Sequence, residues 1–376
     1  MQRTTALFLV IAVTISIARL AAGQSMPLGT VTVRAGQDPV SCGTVKNGSK
    51  FYPGMLCQTA TVSCPNAADI QVTYGCGGGP ANPQGTVVLF SGSAGTSPDG
   101  DGDDMATYAA SYINTFEVVE FEWASAWQDP SSNGSGGDIL AAACRPATFL
   151  NYVSSSGLNV GTMCAQGSSA GSAAVAYSMA WYGQASSLTN VELIAGPVLS
   201  EIDQGCTYPN AGTPTLCAAG SSNYCSPKTV SWTDADIYVP NDATSVSSWS
   251  GIPACASSGV NSSNYAAWAA MSIVDGSNSG YAPSFSYPTP IHGWVCQSYS
   301  SCDAPGCPNN SASEGKFFYD AVFNGEGGTV NFSRMELTGT QQCAGAEGVV
   351  QGIDPDSGGH ESSAITTDMG QKCSPH

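Results

Sequence analysis

The stretch Met163–Gly183, MCAQGSSAGSAAVAYSMAWYG, constrains this chain more than any other part of it. It holds Gly167-Ser168-Ser169-Ala170-Gly171, a G-x-S-x-G pentapeptide, between a strand-like run and an alanine-rich helical run. A serine on so sharp a strand-to-helix turn has its hydroxyl raised above the edge of a sheet. Glycines flank it because a side chain there would strike the neighbouring strand or helix. In a chain this rich in Gly, Ser and Ala the pentapeptide alone means little; the strand before it and the helix after it give it weight. Ser169 is therefore the candidate nucleophile, and Ser168, the adjacent hydroxyl, reads as turn packing.

The pattern around that turn sets the fold class. Gly29 to Val33, Met55 to Ser63 and Ile70 to Tyr74 read as strands bounded by turn residues. Gly85 to Phe90 is a continuous apolar run, the mark of a strand covered on both faces. Helical patterns follow at Met105 to Phe116, Ile139 to Val153 and Ser172 to Tyr182, interleaved with strands at Glu117 to Trp123, Leu158 to Cys164 and Val191 to Ala195. Strand and helix alternating in this way predict an α/β fold, a mostly parallel central sheet with helices on both faces. Cys206 to Tyr281 breaks the alternation: rich in Ser, Asn, Gly and Trp, with four cysteines, it reads as a disulfide-rich cap insertion over about 206–281. Strands return at Pro290 to Cys296 and Phe332 to Leu337, and Ser363 to Gln371 forms a last short helix.

Residues 1–23 read as a cleaved secretory signal: a basic start at Arg3, an apolar core from Ala6 to Ile17 and a small-residue site at Ala21-Ala22-Gly23. The apolar run is too short to span a bilayer, so residues 24–376 are expected to be exported as one catalytic domain without a membrane span. In that compartment the 15 cysteines read as disulfide partners. Local spacing suggests Cys57 with Cys64, Cys302 with Cys307 and Cys343 with Cys373, and the odd total leaves at least one thiol free or paired between chains. Ten basic residues against 28 acidic ones, a net charge of −18, exclude nucleic acid and anionic membranes as partners.

With its serine turn and its strand–helix order, the chain resembles the α/β-hydrolase superfamily over residues 50–205 and 285–373. In that family the nucleophile follows the fifth core strand, an acid follows a later strand and a histidine follows the last. The resemblance implies Ser169 as nucleophile, His360 as base and Asp303 as the acid that orients it, with Asp203 as the alternative acid. A serine hydroxyl needs such a base, and the imidazole needs a carboxylate to hold its tautomer. The oxyanion is expected on the backbone N–H of Ala170 and of Ser93, or its neighbour Gly92, in the loop after Phe90. Of the other histidines, His292 reads as packed within a strand and His376 as a frayed terminus. Glu347 lies nearer the last strand than His360 and would stand for a lost base if the triad were degenerate.

The implied activity is a secreted serine hydrolase cleaving neutral carboxylic esters, small or polymeric, through an acyl-enzyme and without cofactor or metal. The alternatives are a non-catalytic binding protein on the same fold and a serine peptidase. Asp99 to Asp104 reads as a solvated acidic loop, since it lacks the Glu of a calcium-binding loop. Five N-x-S/T triplets begin at Asn47, Asn133, Asn261, Asn309 and Asn331.

Overall fold

The computed structural model describes residues 24–34, 36, 38–92, 94–98, 105–129, 139–168, 170–194, 198–200, 269–288, 290–296, 318, 321–322, 324–325, 332–337 and 360–375. Of these, residues 292–296, 332–337 and 360–364 contribute backbone only. Among the described residues ten strands form one sheet: β1 (Thr30–Val33), β2 (Val40–Ser41), β3 (Leu56–Cys64), β4 (Ala67–Cys76), β5 (Gly85–Phe90), β6 (Glu117–Trp123), β7 (Thr162–Ser168), β8 (Asn190–Ile194), β9 (Ile291–Cys296) and β10 (Phe332–Leu337). Their spatial order is β1-β3-β4-β6-β5-β7-β8-β9-β10, with β2 on β3. From β6 to β10 every pairing is parallel, whereas β1, β3, β4 and β6 pair antiparallel in turn.

The sequence pattern explains this division. Every residue of β5 and β8 is buried, as strands covered on both faces require. On β1, β3 and β4, by contrast, Val31, Ala60, Val62, Ile70 and Val72 turn inward while Thr32, Thr61 and Gln71 stay on the open face.

Among the described residues the helices that cover the sheet are α1 (Met105–Tyr112), α2 (Ile139–Ala142), α3 (Cys144–Ser155), α4 (Ala170–Ala180) and α5 (His360–Cys373). α3 and α4 pack with Val88, Phe90, Phe121, Met163 and Leu193 on one face. α1 and α5 pack with Val87, Leu89, Val118, Cys164 and Ile194 on the other. Phe149 of α3 sits at the centre of an aromatic cluster, its ring 4.8 Å from Phe121 and 5.6 Å from Tyr74. No helix among the described residues is long and apolar enough to cross a membrane.

Several boundaries differ from the pattern-based expectation, each for a local reason. The helix expected over Ile139 to Val153 is divided at Ala143, since Pro146 has no N–H to return to the Ala142 carbonyl. The strand expected from Leu158 starts at Thr162, because Gly161 takes a left-handed φ of 73° that no strand contains. The helix expected from Ser172 begins two residues earlier at Ala170, and the last helix begins at His360 rather than Ser363. Of the expected insertion, residues 206–268 lie outside the described residues. Residues 269–281 pack on α4: Tyr177 Oη donates to the Met271 carbonyl at 2.6 Å and Trp181 Nε1 to that of Ile273 at 3.2 Å.

The disulfides correct the sequence reading most clearly. Those described join Cys42 to Cys57, Cys64 to Cys144 and Cys164 to Cys373, with Cys76 free. Cys57 and Cys64 cannot pair, because both lie on β3. Seven residues of strand separate them by about 23 Å, far beyond the reach of a disulfide of about 7 Å between Cα atoms. Cys373 pairs with Cys164 rather than Cys343, and Cys302 and Cys307 lie outside the described residues. Burial and the neighbouring Glu117 push the Cys76 thiol up to about 11, which keeps it protonated and unreactive at neutral pH.

Candidate active site

The serine turn is as tight as a strand-to-helix junction permits. β7 ends at Ser168 and α4 begins at Ala170, leaving residue 169 alone between them. A Cβ on Gly167 would lie 2.6 Å from the Gly171 carbonyl oxygen, and one on Gly171 would lie 2.1 Å from that of Phe90 and 2.8 Å from that of Ser91. The two glycines therefore let α4 rise directly off the end of β7 while its first turn presses on the end of β5. Ser172 Oγ closes the junction, donating to the Gly167 carbonyl at 2.9 Å and to that of Ile194 at 3.2 Å. Ser168 is fully buried, so the alternative hydroxyl has no access to a substrate. Replacing Gly171 by alanine is expected to destabilise the protein by about 3 kcal/mol, the upper end for overpacking, because the obstructing atoms are backbone. Thermal melting of the variant checks this.

Beside the turn lies the loop after β5, residues 91–98. It is held from several sides: Trp123 N donates to the Gly95 carbonyl at 2.8 Å, Trp127 N to that of Ala94 at 3.2 Å, and Ser91 Oγ to that of Ser97 at 2.6 Å. Asn47 Nδ2 reaches the Thr96 carbonyl at 3.3 Å and Glu122 Oε2 at 2.8 Å. Burial pushes the Glu122 carboxyl above its ordinary range, and the Asn47 amide and Lys46 pull it partly back. Behind Trp127 stands Arg145 of α3, a buried guanidinium. It donates to the Ala68 carbonyl at 3.2 and 2.6 Å, to that of Trp127 at 3.1 Å, and to that of Asp129. Burial lowers it to about 10, so it remains a cation at neutral pH.

The expected site residues divide as follows. Ala170, the expected first oxyanion donor, opens α4 and is buried. Gly92 lies in the clamped loop, while Ser93 and Ser169 themselves fall outside the described residues, as do Asp303, Asp203, Glu347 and His376. His360 is the first residue of α5. The far end of that helix is fixed at the start of the central strands: Cys373 is bonded to Cys164 of β7, and its carbonyl accepts from Thr162 Oγ1. His292 is the second residue of β9, in register with Glu192 of β8 and Ser333 of β10. The sequence reading missed Arg145 and the double contact of Asn47. The one available signal was Asn47-Gly48, a pair that favours left-handed turns, and it was read only as part of an N-x-S triplet.

An antiparallel β4, a crossover that places β5 between β6 and β7, and a serine turn after the fifth strand counted from β3 define the topology. The same architecture is found in brefeldin A esterase, described as a bacterial homologue of human hormone sensitive lipase. The two superpose with a TM-score of 0.51 at 12% identity over 85% of this chain and 77% of that one. The chain has the α/β-hydrolase fold. Other α/β-hydrolase structures similar to it include esterase Est22, with a TM-score of 0.48 at 14% identity over 84% of this chain and 80% of that one. Bacterial heroin esterase gives 0.46 at 10% identity over 87% and 86%. No protein-family model matches the sequence, and no curated protein does. In the α/β-hydrolase fold found here, β9 and β10 are the seventh and eighth strands counted from β3. The segments after them hold Asp303 and His360.

Proposed function

We propose that the protein is an exported serine hydrolase that cleaves neutral carboxylic esters through an acyl-enzyme on Ser169. The observation that carries this reading is the junction at residue 169. Gly167 and Gly171 permit close backbone contacts that any side chain would prevent, and the neighbouring Ser168 is buried. Such a junction serves to lift one hydroxyl above the sheet. In the proposed reaction Ser169 Oγ attacks the ester carbonyl carbon and its proton passes to His360. The tetrahedral oxyanion is held by the N–H groups of Ala170 and Ser93, and the alcohol leaves with the proton from His360. Water then repeats the sequence and releases the acid.

Two further observations support the assignments. A helix of 14 residues is about 21 Å long, close to the length of a seven-residue strand. Anchored by Cys373 at the start of β7 and packed against β5, β7 and β8, α5 is long enough to carry His360 towards the strand ends. Asp303 follows the end of β9 by seven residues along the chain, the part of the sequence from which the resemblance expects the orienting carboxylate. The brefeldin A esterase likeness is consistent with ester chemistry, and the three disulfides with an oxidising compartment.

The test is reaction of the full chain with a fluorophosphonate probe. One phosphonyl group per chain, with parallel loss of p-nitrophenyl ester turnover, is expected. Absence of any adduct from pH 4 to pH 8 would contradict the reading and favour a binding protein on a hydrolase scaffold.

A further inference from the structure

Resting on the acyl-transfer reading above, we propose that Asn47 is a positioning residue for the oxyanion-binding loop, which it holds from outside through a single amide nitrogen. Nδ2 of Asn47 has two hydrogens, and each has a partner. One goes to Glu122 Oε2 at 2.8 Å on β6 and the other to the Thr96 carbonyl at 3.3 Å in loop 91–98. Glu122 is the sixth of the seven residues of β6, an interior strand of the sheet, and is 6% exposed. The amide therefore ties the loop to the frame of the sheet.

The segment that delivers Asn47 is built for that placement. Cys42–Cys57 closes it into a loop seated on β3, and Tyr52 N donates to Glu120 Oε2 at 2.6 Å, one position along the same face of β6. Asn47 holds φ 54° and ψ 17°, the left-handed region that asparagine tolerates better than other side chains. The amide nitrogen is also the atom that N-glycosylation would modify, and a glycan there would leave one hydrogen for the two acceptors.

The contact matters because oxyanion donors must meet the developing charge at about 2.7–3.1 Å. Gly92 and Ser93 stand only a few residues before Thr96. The bonds from Trp123 and Trp127 fix the loop to the body of the protein, that from Ser91 to Ser97 closes it on itself, and Asn47 holds it from the segment 42–57. Without it the loop keeps its fold but loses the tilt of its N–H groups.

The experiment measures kcat and KM for p-nitrophenyl acetate, together with thermal melting, on the full chain and three variants. Asn47→Gly keeps the left-handed backbone and removes the donor, and Asn47→Asp removes it and also sets a second carboxylate against that of Glu122. Both are expected to lower kcat about 10- to 100-fold with KM unchanged. Glu122→Gln, whose amide oxygen still accepts from Asn47, is expected to stay within about threefold of the unmodified protein. The proposal is overturned if either Asn47 variant folds with kcat unchanged, or if Glu122→Gln falls as far as they do. An unmodified chain that neither turns over ester nor takes the fluorophosphonate would sink the acyl-transfer reading itself. Full turnover in Asn47→Gly would sink the role of Asn47 alone.

Discussion

Ser169→Ala is expected to lower kcat for ester hydrolysis by about 10⁴- to 10⁶-fold while leaving the melting temperature unchanged, the range over which loss of a serine nucleophile acts. The size of the effect follows from the surroundings of the turn. Ser168 is buried, and Ser172 Oγ is committed to the carbonyls of Gly167 and Ile194, so neither neighbouring hydroxyl can take over. The loss should also be non-additive. His360→Ala is expected to fall to the same floor, and the double variant no lower, because nucleophile and base act as one unit. His292→Ala, a change within β9, should leave turnover largely intact and act on stability instead. Steady-state kinetics on purified variants separates these outcomes, and a His292 variant that lost turnover while His360→Ala retained it would reverse the assignment of the base.

The largest effect on stability is expected at Arg145. Arg145→Leu should lower the unfolding free energy by about 3–5 kcal/mol, as breaking a buried charged network does. Its guanidinium satisfies three backbone carbonyls from two separate segments, Ala68 at the start of β4 and Trp127 and Asp129 after β6. Leucine replaces the apolar volume but leaves those oxygens buried, at about 1–3 kcal/mol for each that water cannot reach. Arg145→Lys should be intermediate, since a single ammonium cannot span both segments as the planar fork does. Activity should fall with stability, because the Trp127 segment donates to the Ala94 carbonyl of the loop after β5, the proposed source of an oxyanion donor. Urea titration gives the result directly: a lower midpoint with the slope unchanged. An unfolding free energy within about 0.5 kcal/mol of the unmodified protein's would show that the four bonds contribute little in solution.

What could be read from the sequence was what depends on local pattern. The apolar run of β5, the alternation on β3 and β4, and the glycines around Ser169 each carry their structural consequence within a few residues. The disulfides do not. Cys64 meets Cys144 and Cys164 meets Cys373 across 80 and 209 residues, where proximity is decided by sheet order and helix placement. Spacing along the chain favoured Cys57 with Cys64, which a shared strand forbids. Arg145 was hidden for a related reason. An arginine in the first turn of a helix looks like a solvated charge until the fold encloses it with main-chain carbonyls. Asn47 was legible as a turn residue, but its partner Glu122 lies 75 positions away.

The most direct measurement is the site of covalent attachment. After fluorophosphonate treatment of the intact protein, proteolysis and tandem mass spectrometry should place the added mass on Ser169, within the peptide that spans Met163–Gly183. An adduct on Ser168, on Ser172 or on any hydroxyl outside that turn would contradict the claim that the Gly167–Gly171 junction exists to present this one oxygen.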